Sequence, residues 1–298
     1  IVVDEAKAAG IEHFIFVTGR NKSIIEDHFD KQFELETTLS QRGRLEDLAI
    51  LEQDLPSAGQ TSFTRQQVPM GLGHAIWCAR HLVGDEPFAV LLPDMVMQAR
   101  PGCLQQLMDV YEARNGGNVI AVETAAKDVL HRYGVVGAEG WIDNHFRVNQ
   151  MVEKPARNPP SDLIISGRYL FQPEIFDELE QQQVGTGGEV QITDAMSRLL
   201  KRQAFHGVRY EGTTYDCGDK VGYFEAIVAY ALENQILAPR VREALMRIVN
   251  AKGGQLLWDA NEVSGKDLLT VPSAFVTNTS VVSSQSSCLT NPMVQSAA

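Results

Sequence analysis

The stretch Gln66-Gln67-Val68-Pro69-Met70-Gly71-Leu72-Gly73-His74-Ala75, followed further on by Leu91-Leu92-Pro93-Asp94, decides the reading of this chain. A glycine-pinched loop opens a helix, and an apolar strand then delivers one carboxylate at its carboxyl end. Glycine has no Cβ, so the backbone at Gly71 and Gly73 can approach a flat or anionic group closely. The helix start behind them exposes unpaired N–H groups and a partial positive charge. In open α/β sheets, ligands bind beyond the carboxyl ends of strands, which is where Asp94 falls. Together these features predict a nucleotide held beside a divalent metal.

Working outward, residues 1–10 read as a short helix ended by Gly10, and His13–Thr18 reads as a continuously apolar strand of the doubly covered kind. Ser23-Ile24-Ile25-Glu26 has the pattern of a capping box that starts a helix running through Phe29 and Phe33. Further strands are expected at Phe88–Pro93, Asn118–Glu123, Asn149–Glu153 and Leu163–Phe171. Helices are expected between them at Leu72–Leu82, Pro101–Arg114, Pro173–Gln182 and Thr193–Arg202. This alternation predicts an α/β fold, with a parallel or mixed sheet and helices on both faces. Val221–Asn234 places Phe224, Ile227, Val228 and Ala231 on one face of an amphipathic helix, and Pro239 opens another to about Asn250. A helix leading straight into a strand lacks the usual opening strand, so the chain reads as truncated at its start. After Asp267 there is no charged residue, and the Ser- and Thr-rich tail reads as poorly ordered or as a packing arm.

The 298 residues carry a formal charge of −12 with 44 % apolar content. That balance argues against nucleic-acid and anionic-membrane partners, which require basic faces. No apolar run approaches a membrane span. Four cysteines, Cys78, Cys103, Cys217 and Cys288, show no metal-binding spacing and read as reduced thiols of a cytoplasmic protein. The seven histidines show no paired spacing, which makes zinc a poor fit.

Each candidate residue carries two readings. Asp94 suits Mg²⁺, which takes one or two carboxylates plus phosphates and water; it equally suits a turn after Pro93. The Gln66 amide offers the donor and acceptor that a uracil edge requires, and Gly71 would let backbone groups face the ring; an ordinary loop explains both as well. In Val152-Glu153-Lys154-Pro155, neighbouring side chains can reach one ligand only where the strand ends or bends, and Pro155 enforces an ending. A carboxylate there suits sugar hydroxyls and an ammonium suits a phosphate, against a plain surface ion pair. Asp216, in Tyr215-Asp216-Cys217-Gly218-Asp219-Lys220, can supply a second metal carboxylate and Lys220 a phosphate contact, although the same residues make a good turn and helix cap. Glu189 can face a sugar pocket or merely help start a helix.

With these pieces in order, the chain resembles the bacterial UTP–glucose-1-phosphate uridylyltransferases (UDP-glucose pyrophosphorylases) of the sugar nucleotidyltransferase family. The resemblance runs through Ile25–Asp30, Phe33-Glu34-Leu35-Glu36, Gly71–Ala75, Gly84–Asp94, Val152–Pro155, Gly167-Arg168-Tyr169, Glu189–Ala195 and Asp216-Cys217-Gly218. It spans residues 1 to about 240. It implies a nucleotidyltransferase catalytic domain over 1–240, built on a Rossmann-like mixed, mostly parallel sheet with helices on both faces, with a C-terminal helix and uncharged tail over 241–298. It further implies that Gln66 and Gly71 bind uracil, and that Gly134, Glu153 and Lys154 contact glucose 1-phosphate. Asp94 would hold Mg²⁺, with Asp216 completing the metal site. Asp94 and Lys154 would then be the catalytic pair for forming UDP-glucose and pyrophosphate from UTP, in a homodimer or homotetramer of carbohydrate metabolism. The family's opening strand and its Gly-x-Gly-Thr-Arg loop have no counterpart here, so the chain alone is expected to be weakly active or inactive. The rival is a regulatory paralogue that binds UDP-glucose without turning it over, or the same chemistry with another base or sugar.

Overall fold

The computed structural model describes residues 1–251 and 279–283. Its helices are α1 (Val2–Ala8), α2 (Ser23–His28), α3 (Phe33–Gln41), α4 (Leu45–Asp54), α5 (Leu72–Cys78), α6 (Arg80–Val83), α7 (Cys103–Ala113), α8 (Ile175–Glu180), α9 (Ile192–Leu199), α10 (Lys220–Glu233) and α11 (Ala238–Ala251). Its strands are β1 (His13–Thr18), β2 (Thr61–Arg65), β3 (Phe88–Leu91), β4 (Met95–Gln98), β5 (Asn118–Thr124), β6 (Gly134–Ile142), β7 (His145–Glu153), β8 (Leu163–Phe171), β9 (Phe205–Arg209), β10 (Thr213–Asp216) and β11 (Thr279–Ser283).

These residues fall into two units: residues 1–93, 98–212 and 279–283 form one, and 94–97 and 213–251 the other. The second unit holds the β4–β10 pair, so it takes in residues on both sides of the larger unit's middle segment.

The larger unit holds a nine-stranded sheet in the order β2-β1-β11-β3-β8-β5-β9-β7-β6. The α/β class and the mixed sheet agree with the sequence reading. The expected parallel majority survives only as a majority of strand directions. Among the pairings, β1–β2 and β5–β9 are parallel, while β7, β8 and β11 run against their neighbours. β11, from the segment read as poorly ordered or as a packing arm, lies antiparallel between β1 and β3. The rest of the tail, Cys288 included, lies outside the described residues.

β8 is buried along its whole length, as an apolar run covered on both faces must be. Ile120, Val122, Tyr169 and Phe171 pack with Ile76 of α5, Leu179 of α8 and Met196 and Leu199 of α9. Strand neighbours point to opposite faces. Val119, Ala121 and Leu170 therefore face the other way, and α7 packs over β5 and β8 with Leu104 and Leu107 fully buried. Each of those leucines contributes roughly 1.5–3 kcal/mol relative to an exposed one.

One charged side chain interrupts this interior. Arg168 of β8 is wholly buried, and each of its three guanidinium nitrogens donates a hydrogen bond. Its Nε donates to both Glu5 oxygens at 3.2 Å and its Nη2 to Oε2 at 2.9 Å. Nη1 donates to the carbonyls of Leu92 (3.1 Å) and Gly167 (3.2 Å). Glu5 also accepts the Leu104 amide at 3.0 Å. The pair ties α1, the end of β3, β8 and the start of α7 together.

Two local expectations are corrected. Ser23 is the first helical residue of α2 rather than its cap; Lys22 holds the cap position with no side-chain hydrogen bond, and the helix stops at His28 before restarting at Phe33. On α10, Phe224 and Ile227 are exposed, and Gly222 and Ala226 are the residues that turn inward.

In the smaller unit β10 and β4 form a two-stranded sheet. Asp219 caps α10 by accepting from the amides of Val221 (2.8 Å) and Gly222 (3.3 Å), and the Tyr230 hydroxyl donates to the Met97 carbonyl at 2.8 Å.

Candidate functional site

The sequence-nominated residues divide between the two units: Gln66, Gly71, Gly134, Glu153 and Lys154 belong to the larger, Asp94 and Asp216 to the smaller. Each set is built by its own local logic.

Gln66 leaves the end of β2, its amide donating to the Thr18 carbonyl at 2.9 Å. Its side-chain Nε2 donates to the Gly71 carbonyl (3.0 Å) and lies 2.9 Å from His74 Nδ1. An amide nitrogen has only hydrogens to offer, so His74 Nδ1 is the acceptor and the imidazole is neutral. Burial lowers the His74 pKa in the same sense. This corrects the sequence reading on one point: the donor half of the Gln66 amide is committed inside the loop. Among the described residues Oε1 has no partner, which leaves the acceptor half for a ligand's N–H.

Gly71 sits at φ +101°, in the region that disfavours side chains. A Cβ there would lie 2.8 Å from Glu189 Cβ and 3.0 Å from the Val190 carbonyl oxygen. The close approach that the sequence assigned to a ligand is thus made by residues 189–190. Val190 donates to the Met70 carbonyl at 2.7 Å and accepts from the Gly73 amide at 2.9 Å, which staples the loop to the segment before α9. Glu189 is accordingly a neighbour of the Gln66 loop, and its Oε2 accepts from Gln191 Nε2 at 3.0 Å.

Glu153 and Lys154 meet the geometric condition set by the sequence. β7 ends at Glu153, and Lys154 takes the left-handed conformation at φ +45°. Its amide donates to the Tyr133 carbonyl at 3.0 Å. That bend brings Lys154 Nζ to 3.6 Å from Glu153 Oε1, with the Glu153 side chain 9 % exposed and Lys154 39 %. A lysine at positive φ costs about 1–3 kcal/mol and persists only where its surroundings enforce it, commonly at functional sites. Gly134 pairs with Glu153 across the β6–β7 ladder. A Cβ on it would meet Thr193 Oγ1 at 2.8 Å and Glu153 Oε2 at 3.2 Å, so the missing side chain is what leaves the carboxylate room.

In the smaller unit, the Cys217 amide donates to the Asp94 carbonyl at 2.7 Å and Asp216 Oδ1 accepts the Gly218 amide at 3.0 Å. Burial raises the Cys217 thiol pKa, and the nearby carboxylates of Asp216 and Asp94 add to it. Both acids therefore act on one point. Two carboxylates are the sparse, all-oxygen donor set that Mg²⁺ accepts when phosphates and water complete its shell. Among the described residues there is no group of three or more His, Cys, Asp or Glu that could hold a metal ion. Lys220 opens α10 and is exposed.

Several contributors were not singled out from sequence: His74, which orients Gln66; Val190, which fastens the loop; and Thr193, which abuts Gly134. All three lie inside quoted motifs, but their roles depend on pairings between distant segments.

The chain belongs to the nucleotidyl transferase family, whose model matches residues 1–233. It is 42 % identical to UTP–glucose-1-phosphate uridylyltransferase 1 of Staphylococcus saprophyticus, over 83 % of this chain and 86 % of that protein. It is 41 % identical to the UTP–glucose-1-phosphate uridylyltransferase of Bacillus subtilis, over 84 % and 85 %. Among solved structures it is similar to UTP-bound UGPase from Acinetobacter baumannii (TM-score 0.75, 35 % identity, 82 % of this chain and 86 % of that one). It is also similar to a UDP-glucose pyrophosphorylase complexed with UDP-glucose (TM-score 0.69, 34 % identity, 78 % and 85 %).

Proposed function

We propose that this chain is a UTP–glucose-1-phosphate uridylyltransferase, forming UDP-glucose and pyrophosphate from UTP and glucose 1-phosphate. The observation that carries the reading at the site is the left-handed Lys154, which holds an ammonium beside the sheltered Glu153 carboxylate at a strand end.

In the proposed reaction, a phosphate oxygen of glucose 1-phosphate attacks the α-phosphorus of UTP. One P–O bond forms and the bond to the β-phosphate breaks, with pyrophosphate leaving. A phosphate monoester is already a competent nucleophile, so no side chain has to remove a proton. Rate then comes from alignment and charge neutralisation. Gln66 Oε1 accepts the uracil N–H, and the Gly71 loop sets the plane of the base. Glu153 accepts hydrogen bonds from sugar hydroxyls, and Lys154 holds the attacking phosphate in place by its charge. Asp94 and Asp216 would hold Mg²⁺, which supplies neutralisation of the triphosphate charge when bound.

The reading extends to a homo-oligomer, because α10 leaves Tyr223, Phe224 and Ile227 exposed, an apolar surface suited to a second copy. It extends also to the cytoplasm, supported by the free thiols Cys78, Cys103 and Cys217. Among the described residues no helix is long and apolar enough to cross a membrane.

Pyrophosphate release from UTP and glucose 1-phosphate tests the reading. Asp94→Asn should lower turnover about a hundredfold or more with the thermal midpoint retained. Equal turnover in Asp94→Asn and the parent chain would remove the metal role. Tight UDP-glucose binding without any pyrophosphate release would favour a regulatory binder.

A further inference from the structure

The other end of β7 carries a second arrangement of charged groups that uridylyl transfer does not use. His145 opens β7 and Glu153 closes it, so at ~3.3 Å per residue the two ends lie about 25 Å apart along the strand. In the β7–β9 ladder Arg147 stands opposite His206, and His145 opposite Val208. Alternation puts His145, Arg147 and His206 on one face, while Phe146 and Arg209 point to the other. Arg114, at the C-terminal cap of α7, reaches the same face, and its Nη2 lies 2.8 Å from His145 Nε2.

That contact fixes a protonation state. A guanidinium can only donate, so His145 Nε2 is the acceptor and the ring is neutral with its proton on Nδ1. A cation whose partner is a neutral imidazole retains its full charge. Arg147 is only loosely answered: Glu139 Oε1 stands 3.9 Å away and the arginine side chain is 65 % exposed. His206 Nδ1 is buried without a hydrogen-bond partner among the described residues. Asp143, in the turn before His145, is the other acid acting here, and it favours the charged form of His145. In a chain of net charge −12, two arginines and two imidazoles converge, with Glu139 as a carboxylate contact 3.9 Å from Arg147.

Burial and the arginine charges depress both histidine pKa values. For His206 burial comes first, followed by Arg114, His145 and Arg147; for His145 burial comes first, followed by Arg114. Any doubly charged oxyanion placed among the four groups would reverse the arginine contribution.

We propose that the face formed by Arg114, His145, Arg147 and His206 is a binding site for a doubly charged oxyanion of the sulfate or phosphate class, separate from the uridylyl-transfer groups. Arg114 and Arg147 supply charge-assisted hydrogen bonds, and His145 and His206 take up protons as the anion arrives. Proton uptake on binding means that affinity rises as pH falls through the bound-state pKa values.

The test is a sulfate titration of the full chain in saturating UDP-glucose at constant ionic strength, because sulfate stays a dianion throughout this range. Binding is followed by calorimetry and by the histidine ring resonances. Saturable binding should shift His145 and His206, tighten about tenfold between about pH 7.5 and 5.5, and weaken about tenfold in Arg114→Gln. Arg147→Gln should weaken it also, with UDP-glucose affinity unaltered in both variants. Absence of saturable binding, unchanged affinity in both variants, or binding that leaves the two histidine signals unmoved would each overturn the proposal.

Discussion

The Arg168–Glu5 pair is sealed inside the sheet, whereas the Lys154–Glu153 pair sits at a strand end with its cation open to water. Arg168 is fully buried, and each of its three guanidinium nitrogens donates, to Glu5 or to the carbonyls of Leu92 and Gly167. Lys154 has one acid neighbour at 3.6 Å and a backbone held at positive φ. In the first pair every guanidinium nitrogen donates to a group of the fold and none of the arginine faces water: it is architecture. The second has an ammonium with unused donors, a sheltered carboxylate and strain that the fold tolerates, the features on which the proposed sugar-phosphate role rests.

If that contrast holds, the largest effect belongs to the sealed pair. Glu5→Gln strips the countercharge from a buried guanidinium and should cost about 3–5 kcal/mol of stability, read by denaturant unfolding. A loss under about 1 kcal/mol would mean that water reaches Arg168. On the other side, Glu153→Gln should raise the KM for glucose 1-phosphate about tenfold to a hundredfold, equivalent to about 1.4–2.7 kcal/mol, with little change in unfolding. An unfolding change as large as that of Glu5→Gln would merge the two pairs into one structural class. Gly71→Ala sits between these cases. Its Cβ would press on Glu189 and Val190 at positive φ, so about 1–3 kcal/mol of stability and much of the UTP affinity should be lost together.

The smallest effect is a pH dependence. His206 has a folded pKa below its unfolded value, so the unfolded chain binds more protons as pH falls below about 6.5, and stability drops there. His206→Gln should flatten that loss by up to about 1 kcal/mol between about pH 7 and 5, measured in buffers free of multivalent anions. An unchanged slope would assign the acid-side loss to other groups.

Much of the frame was legible because burial dictates composition. β8 was expected at Leu163–Phe171 and stands there, since a strand covered on both faces is mostly apolar, here with Ser166 and Arg168 as its polar exceptions. β1 and α7 were legible for related reasons. β6 was not: only Val135, Val136 and Gly137 of Gly134–Ile142 are buried in its first half, and the rest faces water with no alternation to read. Ser23-Ile24-Ile25-Glu26 misled because a capping pattern says nothing about which residue takes the non-helical conformation. At the site, the bend after Glu153 followed from Pro155 and strand geometry. The commitment of the Gln66 donor to His74 did not, and neither did the Arg168–Glu5 bond, because each depends on a fold bringing separated residues together. The exposed face of α10 shows the same limit, since periodicity locates a stripe without saying what covers it.

The central claim is that Lys154 is strained for a phosphosugar and not for the fold. Thermal unfolding of Lys154→Gly with and without UDP-glucose tests it in one experiment. Glycine relieves the left-handed backbone, so the ligand-free midpoint should stay level or rise, by up to about 1 kcal/mol of stability. The rise induced by UDP-glucose should largely vanish, because that rise scales with RT ln(1 + [L]/Kd). A variant that keeps the full ligand-induced rise, or that melts lower on its own, would contradict the account.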